Sequence, residues 1–370
     1  MNTVIRIAVV FRYVVSSIVL ITMLLATTRP VAAVAQPDDE ITVKDTTLKG
    51  RILGLERNGI RFRTIYGKGT IIISYTDVQK LLAHGEYHIF HGEQQEIEGR
   101  IVGVENGWVL VGDDPATAKQ VASATIQKGV STSEYEEQSW IDKLRTRYPY
   151  WRASLDLGLD IEEGAVDKHK IAWGFNIQRR KRPTRLVADW YQAYETEQTS
   201  PTAPSTVTKN EFSGFLLGEY DLSDHWFLFA LPALSRDIPR GITLLSYPGG
   251  GVGYRFVETD RALLQVQVGG AYVNQNFEDF PDNTFPSGLL GLEGRYEFES
   301  GIEVGGRMFY YPGIPNPRED WLYRTELYFT VPLFDPIALK LRFTNVNDNN
   351  PTPDVGTNKA TTTLGLSLRF

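Results

Sequence analysis

From Tyr150 to the C-terminus the chain alternates between apolar and polar positions. Trp151, Ala153, Leu155, Leu157, Leu159 and Ile161 fall on one face of an extended strand, with Arg152, Ser154, Asp156, Gly158 and Asp160 on the other. The same ladder runs through Leu290, Leu292, Gly294, Tyr296 and Phe298, and through Ile302, Val304, Gly306, Met308 and Tyr310. Ile337, Leu339, Leu341 and Phe343 repeat it around Lys340 and Arg342. A period of two sends alternate side chains to opposite faces of a sheet. About twelve such segments can be read, the even number expected of a bacterial transmembrane barrel.

The connections between segments give a second signal. Tight turns are expected at Arg180–Pro183, Ser223–Asp224, Glu258–Asp260, Glu299–Ser300 and Phe334–Pro336. Longer connections fall between them, around Glu162–Asp167, Thr196–Asn210, Asp237–Gly241, Glu278–Pro286, Gly313–Asp320 and Asn347–Asn358. Strict short–long alternation is what an up-and-down barrel with both ends in the periplasm requires. The last strand alternates through Leu364, Leu366 and Leu368 and ends on Phe370. That resembles the C-terminal signal read by the outer-membrane assembly machinery. Trp151, Trp226, Tyr296 and Phe370 are expected at the periplasmic interface, and Trp190, Tyr310, Trp321 and Tyr323 in the outer aromatic girdle.

Ahead of the barrel lies an internal repeat. Leu48-Lys49-Gly50-Arg51-Ile52-Leu53-Gly54-Leu55-Glu56 recurs as Ile97-Glu98-Gly99-Arg100-Ile101-Val102-Gly103-Val104-Glu105. Asn58-Gly59 and Asn106-Gly107 follow, each predicting a hairpin because both residues tolerate positive φ. Residues 36–130 are therefore expected to form a tandem Sm-like or SH3-like β module whose copies support one another, with 131–149 as a linker and 150–370 as the barrel. At the start, Arg6 and Arg12 precede an apolar stretch, and Ala33-Val34-Ala35 gives a small-x-small site; residues 1–35 read as a cleaved signal peptide.

Composition narrows the function classes. The absence of cysteine excludes disulfides, thiolate metal sites and a lipidated cysteine. A formal net charge of −7 argues against nucleic acid as a partner. Asp156 and Asp160, at i and i+4 on a strand, would lie roughly 13 Å apart, beyond the roughly 9.5 Å reach of paired glycosidase carboxyls. They read as a solvated or salt-bridged wall. Gly249–Gly253 has no Lys-Ser/Thr behind it and reads as a strand kink, not a phosphate loop. His169 and His225 fall near opposite ends of the barrel, with no Ser-His pair to support catalysis. The spacing of His84, His88 and His91 would suit a metal, but a polar loop explains them more simply. No cofactor is called for.

The inward positions carry both signs: Arg152, Glu219, Arg255, Glu293, Arg295, Glu297, Glu303, Arg307, Arg324, Glu326, Lys340, Arg342 and Arg369. In a narrow barrel, opposite charges on facing walls can pair and hold the interior shut. A single-sign ring would instead argue for ion selectivity.

Arg185 to Tyr194, Tyr220 to Phe229, Arg236-Asp237 and Gly249 to Val257 together resemble the uncharacterised outer-membrane proteins called salt-induced outer membrane protein, or YdiY-like. The first external connection, Ile161 to Asp167, departs from the Ser-Gly-Asn-like turn of that pattern. The resemblance implies location and fold, not chemistry. The sequence thus points to an all-β chain: a transmembrane antiparallel barrel with a small periplasmic module. Its expected partners are outer-membrane lipid, the assembly machinery and a periplasmic partner of the module. A structural or envelope-stress role ranks first, a narrow channel for ions or small polar solutes second, and an enzyme last.

Overall fold

The computed structural model describes residues 38–44, 46–67, 69–92, 95–162, 167–198, 204–314, 316–349 and 357–370. The expected signal peptide, 1–35, lies outside them, as do parts of the connections at 162–167, 196–210, 313–320 and 347–358. Two compact units divide between Tyr135 and Glu136.

The first unit is the tandem module. Copy one comprises β1 (Asp39–Val43), β2 (Thr46–Glu56), β3 (Gly59–Thr64), β4 (Thr70–Ile73) and β5 (Val78–Leu82). Copy two comprises β6 (Glu86–His91), β7 (Gln95–Glu105), β8 (Trp108–Val111), β9 (Lys119–Ala122) and β10 (Ile126–Ser131). In each copy the fifth strand returns to pair with the first, and a short 3₁₀ turn precedes it. The long second strand is bulged at matching positions, Ile52/Gly54 and Ile101/Gly103, which lets it bend and serve two parts of the curl. The copies are joined reciprocally: β10 pairs with β2, and Ala83 just beyond β5 donates its N–H to Ile101 O of β7. One apolar core, including Ile41, Ile52, Phe62, Tyr87, Ile89, Ile101 and Val109, runs through both. Gly54 permits the β2–β10 approach, since a Cβ there would stand 2.7 Å from Gly129 O.

The hairpin of copy two turns on Asn-Gly as expected, and that of copy one does not. Asn106 (φ 49°) and Gly107 (φ 80°) form the two-residue turn of copy two. In copy one the extra residue Arg57 shifts the register, so Arg57 and Asn58 make the turn and Gly59 already pairs with Glu56.

The second unit opens with two short helices, α1 (Thr132–Glu137, which spans the division) and α2 (Trp140–Arg147), where the sequence suggested only a linker. Ser139 caps α2 by accepting from Asp142 N at 3.2 Å, and Arg145 and Arg147 complement its C-terminal end. The barrel strands follow: β11 (Trp151–Glu162), β12 (Asp167–Lys181), β13 (Thr184–Gln198), β14 (Thr206–Asp221), β15 (Trp226–Leu231), β16 (Ala233–Asp237), β17 (Ile242–Ser246) and β18 (Gly249–Glu258). They continue as β19 (Ala262–Phe277), β20 (Asn283–Glu297), β21 (Glu303–Pro312), β22 (Trp321–Phe334), β23 (Ile337–Asp348) and β24 (Asn358–Arg369).

Each strand pairs antiparallel with its neighbours, and β24 closes on β11 from Ser154↔Arg369 to Leu157↔Leu366. Proline, which lacks a donor for the ladder, interrupts two of the strands. Pro232 separates β15 from β16, which both pair with β14, and Pro248 separates β17 from β18, which both pair with β19. Counting each interrupted strand once, the closed antiparallel barrel has twelve strands. The outer wall is apolar, with Leu157, Ile171, Leu216, Val268, Leu290, Leu327 and Leu366 exposed.

Candidate functional site: the filled interior of the barrel

Alternate residues of the barrel strands point inward, and there they meet residues of both neighbouring and more distant strands. Nearest the tight turns, Arg180 binds Glu258 at 2.6 Å and Asp221 at 3.0 Å, while Arg182 reaches Asp224 and Glu258. One layer deeper, Glu219 is fully buried and accepts from Arg185 at 2.9 Å, Arg255 at 2.7 Å and Gln265 at 2.7 Å. Arg185 crosses from β13 to Glu293 on β20 at 2.6 Å, and Arg255 also reaches Asp221 at 2.9 Å. The Arg255 guanidinium lies 4.4 Å from the Phe227 ring centroid. Every carboxylate in this cluster has a guanidinium partner, the condition under which ions can be held out of water.

A second cluster joins Asp189, Glu326 and Arg342, at 3.3 Å and 2.9 Å, with the Arg307 guanidinium 4.0 Å from Asp189 and over the Phe215 ring. Asp156 is held by Lys340 at 2.6 Å and by Ser367 Oγ at 2.6 Å; the Asp160 side chain lies outside the described residues. Toward the long loops the filling becomes apolar. Phe229, Leu231, Tyr247, Val273, Phe285, Leu289, Phe309 and Tyr311 form one buried cluster inside the barrel, continuous at its tight-turn side with Phe227 under Arg255. Arg324 spans it to donate to Tyr247 OH at 2.9 Å and Ser213 Oγ at 2.8 Å. Nearer the loops, Lys359 of β24 binds Glu211 of β14 and Asp237 of β16.

The remaining inward charges surround a cavity of about 510 Å³ at the tight-turn end. Arg152 lies 3.9 Å from Glu297, Arg369 binds Glu303 at 3.0 Å, and Arg295 donates to Asp260 O at 3.3 Å. Helix α2 stands at this mouth. Arg145 grips Asp335 with both amino groups, at 2.7 and 2.8 Å, and donates to Arg369 O at 3.0 Å. Trp140 packs on the Phe370 ring at 5.8 Å. Of the C-terminal series, Leu364 and Leu366 are exposed outward and Leu368 is half-buried.

The sequence reading omitted Arg180, Arg185, Asp189, Asp221, Glu258 and Gln265. Parity could have found Asp189 and Arg185, two and six residues before Tyr191 on the same inward face of β13. The polar lumen expectation also missed the apolar cluster. In Trp226–Leu231 both alternating faces are apolar, the exposed Trp226 and Leu228 facing outward and the buried Phe227, Phe229 and Leu231 filling the interior.

Two of the histidines have local partners. His225 bonds Arg255 O through Nδ1 at 2.9 Å, and His88 meets Glu96 at 2.7 Å and the Tyr135 ring at 4.4 Å.

A family model described as "Protein of unknown function, DUF481" matches residues 155–370. No curated protein matches the sequence. Among solved structures, the NanC porin is 8% identical, covering 58% of this chain and 98% of its own, with a TM-score of 0.35. The translocator domain of autotransporter NalP from Neisseria meningitidis is 13% identical, covering 62% and 92%, with a TM-score of 0.33. The anion-selective porin from Comamonas acidovorans is 9% identical, covering 60% and 98%, with a TM-score of 0.28.

Proposed function

The chain belongs to the DUF481 family of proteins of unknown function, and from that premise we propose that it is a closed outer-membrane barrel with a structural role in the envelope. The apolar outer wall and the polar, paired interior suit a barrel in lipid. Both barrel termini and α2 lie at the tight-turn end, which in bacterial barrels is the periplasmic one. This supports a periplasmic location for the N-terminal module.

The observation that carries the proposal is the Arg185–Glu219–Arg255–Glu293 cluster, which bridges opposite walls with partnered charges. Above it the apolar cluster fills the barrel, and among the described residues no single-sign ring remains to select ions. A narrow channel is the second reading, favoured by the cavity at the tight-turn end, which would serve as its vestibule.

Planar-bilayer conductance of the full chain separates the two. Silence from the wild type, with discrete steps once Arg185, Glu219 and Glu293 and the plugging Phe229, Phe285 and Phe309 are replaced together by alanine, supports the closed barrel. Discrete steps from the wild type overturn it in favour of the channel.

A further inference from the structure

The two copies of the module fold alike but present different surfaces. Strand pairing fixes their correspondence: Ile60 opposite Ile73 matches Val109 opposite Val121. On the outward face of copy one, Arg51 of β2 lies directly across from Arg63 of β3. Both are exposed, and neither meets a carboxylate within ion-pair distance among the described residues. Like charges placed opposite one another weaken a sheet, so the pair does nothing for the fold. Lys49 precedes them on the same face, with Glu40 at 3.0 Å. In copy two Glu98 and Gly112 replace Lys49 and Arg63, and Arg100, which matches Arg51, sits across from Glu86.

The apolar positions diverge in parallel. Edge strand β4 carries Ile71 and Ile72 where β9 has Lys119 and Gln120, although the buried Ile73 and Val121 are alike. Copy two thus has the charged edge that water-facing sheets normally carry, and copy one does not. Beyond β3, Ile65 donates to Lys49 O at 3.0 Å, which seats the turn beside the basic strand. Tyr66 in that turn is 75% exposed and Ile72, opposite Arg61, is 53% exposed. Copy two has Asp113-Asp114 after β8.

We infer that this face of copy one docks on the anionic phospholipid surface of the membrane that holds the barrel, an inference that rests on the membrane reading above. Arg51 and Arg63 lie against headgroup phosphates, and Ile65, Tyr66 and Ile72 enter the interface. Unneutralised cations beside exposed aliphatic and tyrosine side chains are the complement of such a surface. Covalent attachment to the barrel keeps the module at high effective concentration near the bilayer, so modest contacts suffice. An acidic peptide on the free edge of β4 would use the backbone of that edge and leave Arg51, two strands away on β2, unexplained.

The chain has no cysteine, so a single environment-sensitive fluorophore can be placed on Tyr66→Cys, with Gln120→Cys in copy two as reference. The full chain is reconstituted in phosphatidylcholine vesicles with and without phosphatidylglycerol. Barrel insertion is scored separately by heat-modifiable migration, which keeps a failed barrel distinct from failed docking. The expected result is a blue shift and quenching by nitroxide lipid at position 66 only, requiring phosphatidylglycerol and reversed by salt. Arg51→Gln with Arg63→Gln should then lower the docked-to-free ratio roughly 30-fold, the effect of two interfacial cations. A fluorophore that stays aqueous in both lipids overturns the inference. So does a blue shift indifferent to lipid charge and salt and unquenched by nitroxide, which would assign the face to a protein.

Discussion

Arg185 and Glu293 meet across the interior of the barrel, Nη2 to Oε1 at 2.6 Å and Nη1 to Oε2 at 3.0 Å, from strands separated by more than a hundred residues. The same guanidinium holds Glu219, so removing it exposes two buried carboxylates to one another. Arg185→Ala should cost about 3–5 kcal/mol of barrel stability, as for one partner lost from a buried pair. Replacing the pair together, Arg185→Met with Glu293→Leu, should recover part of that loss. Urea unfolding in lipid vesicles measures both, and a wild-type midpoint for Arg185→Ala would show that the cluster does not hold the walls together.

Gly253 gives a packing prediction. A Cβ at this position would stand 2.1 Å from the Phe227 ring, the ring on which Arg255 rests. Gly253→Ala should therefore displace Phe227 and cost roughly 1–3 kcal/mol by overpacking. Gly270→Ala, whose nearest neighbour would be Ser287 O at 3.8 Å, should be close to neutral. Equal midpoints for the two variants in the same unfolding assay would refute the assigned role of Gly253.

These two positions also show how far the sequence could be read. Period two, the alternation of turn lengths and the 48–49-residue repeat made the barrel and the module legible, because they are local properties of the chain. Gly249–Gly253 was legible as a special segment but not as the seat of Phe227, since that contact depends on which ring crosses over it. Likewise, Glu219 and Arg255 could be assigned inward by parity, while Glu293 as the second partner of Arg185 required the closure of β13 toward β20. The helix α2 left little trace, being eight residues long and held by contacts with Asp335, Arg369 and Phe370 that lie some 200 positions away.

That helix carries a pH prediction. The hydrogen bonds from Arg145 hold the Asp335 carboxyl, in the turn between β22 and β23, below the ordinary aspartate range. A depressed carboxyl contributes stability above its unfolded pKa, about 3.9, and loses it as pH falls through the lower folded value. Docking of α2 should therefore be constant from neutral pH to about 5 and fail only below about 4. Hydrogen exchange of the α2 amides follows this, and Asp335→Asn should raise exchange above about pH 4 and converge on the wild type below it. Because the pair is largely solvent-exposed, global stability should change by less than about 1 kcal/mol. A release of α2 near neutral pH would instead implicate some other titrating group.

The module should fail at the opposite end of the scale. Burial pushes the hydroxyls of Tyr75 and Tyr87 well above the usual tyrosine range; Tyr75 donates to Glu56 O at 2.7 Å and Tyr87 to Ile52 O at 3.4 Å. A raised pKa means that the neutral form is favoured in the folded state. The stabilisation is complete below the ordinary value near 10 and is lost as pH climbs through the folded one. The two phenols lie in one shared core, so ionising either should open both copies in a single step. Phenolate absorbance should show exposed tyrosines titrating first and a later cooperative rise coincident with loss of module β-structure by circular dichroism. Tyr75→Phe removes one of these protons and the bond to Glu56 O, so the alkaline transition should move upward while stability at neutral pH drops by about 1 kcal/mol. An unchanged alkaline transition in both Tyr75→Phe and Tyr87→Phe would mean that neither phenol controls it.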